Sequence, residues 1–142
     1  MFAIFDFDGT ICDLTHRLHH IKGEKKDFDA FHAACVDDAP KPEIMNILGS
    51  LVNSQFKIEI WSGRSDIVRD QSMTWLDRNG INPFLLTNMR QHGDYTPDDK
   101  LKRHWLRSLD VRPNVVFDDR QRVVDMWRKE GITCCQVDAW KE

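Results

Sequence analysis

No apolar run in the sequence approaches the ~20 residues needed to cross a bilayer as a helix, and no basic region precedes its first apolar run. Neither a membrane span nor a secretory leader is expected, and the chain reads as cytoplasmic. Its four cysteines, Cys12, Cys35, Cys134 and Cys135, include no CxxC pair. The adjacent two would point to opposite faces of a strand, so all four read as reduced and mostly structural. His16, His19 and His20 cluster without a cysteine or further histidine at zinc-like spacing, which argues against zinc. Internal repeats and low-complexity linkers are also missing. Positive charge is not in excess: 20 Lys and Arg face 23 Asp and Glu, a formal net charge of −3. That excludes a broad non-specific coat on nucleic acid while leaving room for a local basic patch. What remains is an ordinary globular composition, 41% hydrophobic and 30% charged over 142 residues, enough for one domain with a sizeable core.

Against these absences stands the stretch over residues 2–10, FAIFDFDGT. Phe2, Ala3, Ile4 and Phe5 form an apolar run too short for a typical helix, and Gly9 breaks it, as expected of a buried parallel strand entering a loop. Asp6 and Asp8 then sit at the strand end. A carboxylate buried there must be paired, hydrogen-bonded or bound to a cation, because burying it alone is costly. Two of them, one residue apart, suit Mg²⁺, which takes oxygen ligands and keeps some waters for a substrate phosphate to replace.

The chain continues as alternating strand and helix signals. Residues 11–41 are too polar and broken for a central strand and read as a small helical insertion over the site. Within it, Arg17, Lys22, Lys25 and Lys26 form either a solvated face or a basic wall beside the substrate. Asp27 suits the cap of a helix bearing Phe28 and Phe31. Pro42 opens a second helix with Ile44, Ile47, Leu48 and Leu51 at helical spacing. A strand over 56–61 then runs into Ser62, Gly63 and Arg64. Small residues there let backbone amides and the Ser62 hydroxyl approach a phosphate, and Arg64 can grip its oxygens bidentately. The next helix places Trp75 in the core and stops at Asn79-Gly80. A third strand ends near Asn88, with Arg90 beyond it, so Arg64 and Arg90 can flank one anion. Thr96-Pro97 begins a helix with Lys102 on its second turn. A strand over 114–117 delivers Asp118 and Asp119, like charges that repel unless a cation is shared. A last helix ends at Gly131 before a strand over 132–137. The expected fold is α/β, a three-layer αβα sandwich around a five-stranded parallel sheet, with ligands bound at the carboxyl ends of the strands.

Four stretches now combine. DxDGT at Asp6 to Thr10, SGR at Ser62 to Arg64, DDKLK up to Lys102 and FDDR at Phe117 to Arg120 resemble, in order, the four motifs of the haloacid dehalogenase (HAD) superfamily. The tail DDRQRVVDMWRKEGITCCQV, with SGR and MRQHGD, is similar to the phosphatase domain of phage-type polynucleotide kinase-phosphatases. The resemblance implies a Rossmann-like, HAD-like domain over residues 1–142 that hydrolyses phosphate monoesters through an aspartyl-phosphate. In that reading Asp6 is the nucleophile and Asp8 the general acid and base. Ser62 and Lys102 bind the transferring phosphoryl group, with Lys100 the weaker candidate for the lysine. Thr10, Gly63, Arg64 and Arg90 bind substrate. Asp6, Asp8, Asp118 and Asp119 attend Mg²⁺, either Asp118 or Asp119 being the direct ligand. The implied partner is a phosphorylated nucleic-acid end, its 3′-phosphate above all, or a nucleotide, in nucleic-acid repair. No GxxxxGK[ST] occurs, so no kinase half is expected. Two other readings stand beside it: a phosphatase of another small phosphate metabolite, and a non-catalytic module binding nucleic-acid ends. The last has no need of an acid-base partner such as Asp8.

Overall fold

The computed structural model describes residues 1–140. Five parallel strands, β1 (Phe2–Asp6), β2 (Lys57–Ser65), β3 (Leu86–Arg90), β4 (Val115–Arg120) and β5 (Thr133–Trp140), lie in the order β3-β2-β1-β4-β5. Alternation along β1 divides its side chains between two cores. Ala3 and Phe5 pack with Ile44 and Leu48 of α2 (Pro42–Asn53) and with Trp75 and Leu76 of α3 (Arg69–Arg78). Phe2 and Ile4 pack with Leu106 of α4 (Asp98–Arg107) and with Val123, Val124 and Trp127 of α5 (Gln121–Lys129). The outcome is the expected three-layer α/β sandwich. From β1 the chain builds β2 and β3 on one side, then crosses to β4 and β5 on the other. The order therefore reverses beside β1, which opens a crevice at the carboxyl ends of β1 and β4.

Four strands run further than their apolar patterns, the last of them, β5, passing Val137 and Asp138 to reach Trp140. β2 continues through Ser62, Gly63 and Arg64, with a register shift against β3 between Ser62 and Ser65. β4 carries Asp118 and Asp119 inside the ladder, again with a register shift, between Asp118 and Arg120, against β5. Arg90 is the last residue of β3 rather than a loop residue beyond it. In each case the partner strand supplies ladder hydrogen bonds that polar residues can use as well as apolar ones.

Two-residue strands, Cys12–Asp13 and Ala39–Pro40, pair antiparallel and close the insertion at its base. Between them lie a 3₁₀ helix (Thr15–His20), α1 (Phe28–Ala33) and a 3₁₀ turn (Ala34–Asp37). Asp27 caps α1 by accepting from the Ala30 amide at 3.0 Å. Trp75 is buried as expected, and its Nε1 also donates to the Asp38 carbonyl at 2.9 Å, tying α3 to the insertion. Cys12, Cys35 and Cys134 are buried free thiols and Cys135 is an exposed one. Among the described residues no helix is long and apolar enough to cross a membrane.

Candidate active site

The chain leaves β1 through a tight turn in which the Thr10 and Ile11 amides donate to the Phe7 carbonyl at 3.2 and 3.0 Å. Gly9 sits in that turn at φ 80°, the left-handed region where a side chain is strained. A Cβ at Gly9 would also come within 2.0 Å of Asp119 Oδ2. The glycine of the DGT run is thus what lets the ends of β1 and β4 close on each other. Thr10, fully buried, places its Oγ1 3.2 Å from Asp6 Oδ2 and 3.4 Å from Asp119 Oδ1. It braces the carboxylates and does not line the cavity above them.

Asp6, Asp118 and Asp119 are all buried and bring one oxygen each within 4.8 Å of the others. One ammonium bridges two of them: Lys102 Nζ lies 2.6 Å from Asp6 Oδ1 and 3.0 Å from Asp118 Oδ2. Burial and the Asp118 charge push Asp6 well above the usual carboxylate range despite Lys102, and the same two causes push Asp119 up to about 6. Burial opposes the charge on Lys102, but Asp118 and Asp6 outweigh it and raise its pKa. Of the two candidate lysines, Lys102 reaches the carboxylates and Lys100 is exposed. Three crowded carboxylates with one cation form a hard-oxygen set with a charge deficit, which fits a divalent ion such as Mg²⁺. Their partners differ. Asp118 Oδ1 accepts the Asp119 amide at 2.9 Å and its Oδ2 accepts Trp127 Nε1 at 3.2 Å besides Lys102. Asp119 Oδ1 accepts Thr10 Oγ1 at 3.4 Å.

The side chain of Asp8 departs from the expected metal set. Its Oδ1 accepts Arg17 Nη2 at 2.6 Å and Arg64 Nε at 2.9 Å. A second carboxylate, Asp38, holds the same pair: Oδ1 accepts Arg17 Nε at 2.8 Å, and Oδ2 accepts Arg17 Nη2 at 2.8 Å and Arg64 Nη2 at 2.9 Å. The two acids of DxD thus belong to different charge clusters, one deficient in positive charge and one balanced. Burial alone would raise the pKa of Asp8, but Arg64 and Arg17 outweigh it and hold the carboxyl well below the usual range.

Arg64 is fully buried, with Nη1 on Ser72 Oγ at 2.9 Å, so its guanidinium clamps Asp8 where phosphate contact was expected. Arg17 is fully buried too, which corrects both readings of the basic stretch for this residue. Ser62 Oγ accepts the Arg64 amide at 3.0 Å behind the wall, and Gly63 and Ser65 line the cavity in its place. Arg90 lines the cavity, yet it donates to Gly63 O at 2.8 Å, Asp94 O at 3.0 Å and Thr96 O at 2.6 Å, and pairs with Asp98. It clamps a loop, with little left to grip a phosphate. Asp98, whose Oδ2 accepts Arg120 Nη1 at 2.9 Å, and Asp38 were missed as site residues. Asp98 was legible only as a helix-start acid, and no local pattern marks Asp38. Over these groups lies a cavity of about 480 Å³, lined by Asp6, Asp8, Lys102, Asp118 and Asp119 on one side and by the insertion on another.

A parallel sheet with an aspartate pair leaving β1, a buried lysine on α4 and two acids ending β4 defines a HAD-type phosphatase domain. More narrowly, the chain belongs to the family described as the polynucleotide kinase PNKP phosphatase domain, whose model matches residues 1–140. A chain of the Pnkp1/Rnl/Hen1 RNA repair complex superposes with a TM-score of 0.80 at 25% identity, over 96% of this chain and 42% of that one. A class C acid phosphatase from Bacillus anthracis with tungstate bound shares the fold at a TM-score of 0.62 and 19% identity, over 83% of this chain and 51% of that one. A haloacid dehalogenase-like hydrolase of Streptococcus pneumoniae does so at 0.60 and 13%, over 94% and 82%. This chain spans less than half the length of the RNA-repair chains it matches, 42% and 47% of them.

Proposed function

We propose that this domain is a Mg²⁺-dependent phosphomonoesterase that removes 3′-phosphates from nucleic-acid ends or nucleotides by way of an aspartyl-phosphate on Asp6. The observation carrying the chemistry is the pairing of Asp6, on Lys102 at the cavity floor, with Asp8, clamped by two arginines on the cavity wall. Asp6 attacks phosphorus as the ester P–O bond breaks, and the leaving alkoxide takes a proton from Asp8. Arg64 and Arg17 favour the Asp8 carboxylate, so the proton it passes to the alkoxide is taken up with the substrate, from a monoanionic phosphate, and the same carboxylate serves as the base of the second step. Water then attacks phosphorus, its proton returns to Asp8, and the Asp6–phosphorus bond breaks to release phosphate. Lys102 stays beside Asp6 throughout and stabilises negative charge on the transferring group. Asp6 and Asp119 would hold Mg²⁺, with Asp118 orienting Lys102 and the backbone of Asp119. When bound, the ion would neutralise phosphoryl oxygens that otherwise repel Asp6. The nucleic-acid assignment is supported by the family match and by the likeness to chains of an RNA repair complex.

The test is Mg²⁺-dependent phosphate release from 3′- and 5′-mononucleotides, oligonucleotides phosphorylated at either end, and sugar phosphates. Preference for 3′-phosphorylated substrates is expected, together with loss of at least about a thousandfold in kcat for Asp6→Asn, whose amide keeps the shape without the nucleophile. Brisk cleavage of a different phosphomonoester with none of the 3′-nucleotides would transfer the assignment to small-metabolite phosphatases. Near-normal turnover by Asp6→Asn would end the covalent mechanism.

A further inference from the structure

The insertion contributes a wall to the cavity that the hydrolytic steps leave unused. On α1, Phe28 and His32 are four residues apart, hence on one helix face, and both line the cavity. Phe31 between them is already occupied, buried with the Arg17 guanidinium carbon 4.4 Å above its ring. Phe28 is 44% exposed and has no ring or cation partner among the described residues. His32 presents the complementary problem. Its Nδ1 is buried with no hydrogen-bond partner among the described residues, a cost normally met by a ligand or water. Burial lowers the pKa of His32 despite the nearby Asp8 charge, so the ring is a neutral hydrogen-bonding group. Lys22 and Lys26, both exposed, line the same cavity. Together these features offer an aromatic face, one orphaned polar nitrogen close to Asp8 and two cations at the rim.

We propose that Phe28 and His32 form a nucleoside subsite: the base of the terminal nucleotide lies on the Phe28 ring and its sugar hydrogen-bonds His32 Nδ1 while its 3′-phosphate reaches Asp6. This rests on the 3′-phosphatase reading. An aromatic platform accepts any base through its π-face, so the subsite selects nucleosides as a class without reading sequence. Lys22 and Lys26 would meet the next phosphodiester.

The experiment compares kcat/KM on a 3′-phosphorylated trinucleotide and on the same trinucleotide ending in an abasic tetrahydrofuran residue. Wild-type protein should lose about tenfold when the base is removed, equivalent to about 1.4 kcal/mol. Phe28→Ala should show that loss on the base-bearing end and none on the abasic one; an exposed ring makes this variant safe for folding, which its Tm would verify. His32→Leu should lose activity on both substrates, and His32→Asn, which can place an amide near Nδ1, should recover most of it. Equal wild-type rates on both ends, or a Phe28→Ala loss that persists on the abasic end, overturns the base platform. Unchanged kcat/KM in His32→Leu overturns the sugar contact. A wild-type protein that hydrolyses neither trinucleotide but does release phosphate from another monoester overturns the 3′-phosphatase reading and the subsite with it.

Discussion

Asp119 concentrates the electrostatic conflict of the site in one residue. Its folded pKa, about 6, lies above the ordinary carboxylate value, so it favours folding below about pH 4 and that contribution fades as pH rises through about 6. Metal-free protein should therefore lose stability across this window, on the order of 2 kcal/mol or several degrees in Tm, and saturating Mg²⁺ should restore it. His32 titrates with the opposite sign, since a depressed imidazole pKa favours folding as pH rises. Subtracting the pH profile of Asp119→Asn isolates the Asp119 contribution. A difference profile that is flat from pH 4 to 8 without metal would remove it. The two acids ending β4 should separate as well. Asp119→Asn should weaken apparent Mg²⁺ affinity about tenfold or more in calorimetric titration, whereas Asp118→Asn, which leaves Asp119 Oδ2 in place, should chiefly lower kcat by misplacing Lys102. Identical metal affinities in the two variants would erase the distinction.

Among the elements, the insertion is held in place through Arg17. Its guanidinium reaches from the 3₁₀ helix into both Asp8 and Asp38, which leaves the insertion and the catalytic turn sharing one buried ion network. Replacing Arg17 by Met keeps much of the packing over Phe31 but strands Asp8 and Asp38 with one arginine. A loss of about 3–5 kcal/mol is expected in urea denaturation, with turnover reduced further by a mispositioned Asp8. Stability unchanged within about 0.5 kcal/mol would show the pair to be surface-like in its energetics. The same element shows where sequence reading stops. FAIFD at β1, Asp27 as a cap, Trp75 in the core and the acids ending β4 were legible because apolar period and local hydrogen bonding act over a few residues. Arg17 was read as solvated or substrate-facing because its partner Asp38 lies 21 residues on and its companion Arg64 farther still. Only the closure of the insertion, by the short strands around Cys12 and Ala39, brings them together. Arg64 and Arg90 were read as phosphate clamps for the same reason: a donor's chemistry shows in sequence, whereas the acceptors that claim it do not.

For the whole molecule, charge decides how much of a polymer can be held. The net charge is −3. Of the cations available for a backbone track, Arg17 is buried in its own ion network, Arg64 is buried behind the cavity and Arg90 is bound to its loop. Lys22 and Lys26 line the cavity rim, as do Arg120 and Arg122, which are paired with Asp98 and Asp99. Oligonucleotide affinity should then rest on the terminal phosphate and nucleoside plus about two backbone contacts. At a log-log salt slope of about −0.7 for each single-strand phosphate neutralised, two contacts give about −1.4. That slope is measured with Asp6→Asn protein at fixed Mg²⁺, titrating a 3′-phosphorylated hexanucleotide over rising KCl. Lys22→Ala combined with Lys26→Ala should bring the slope near zero and equalise the hexanucleotide with a 3′-mononucleotide, while kcat on the mononucleotide stays unchanged. A wild-type slope steeper than about −3 would mean that cations outside this rim grip the strand, and that the domain reads far more of the polymer than its cavity holds.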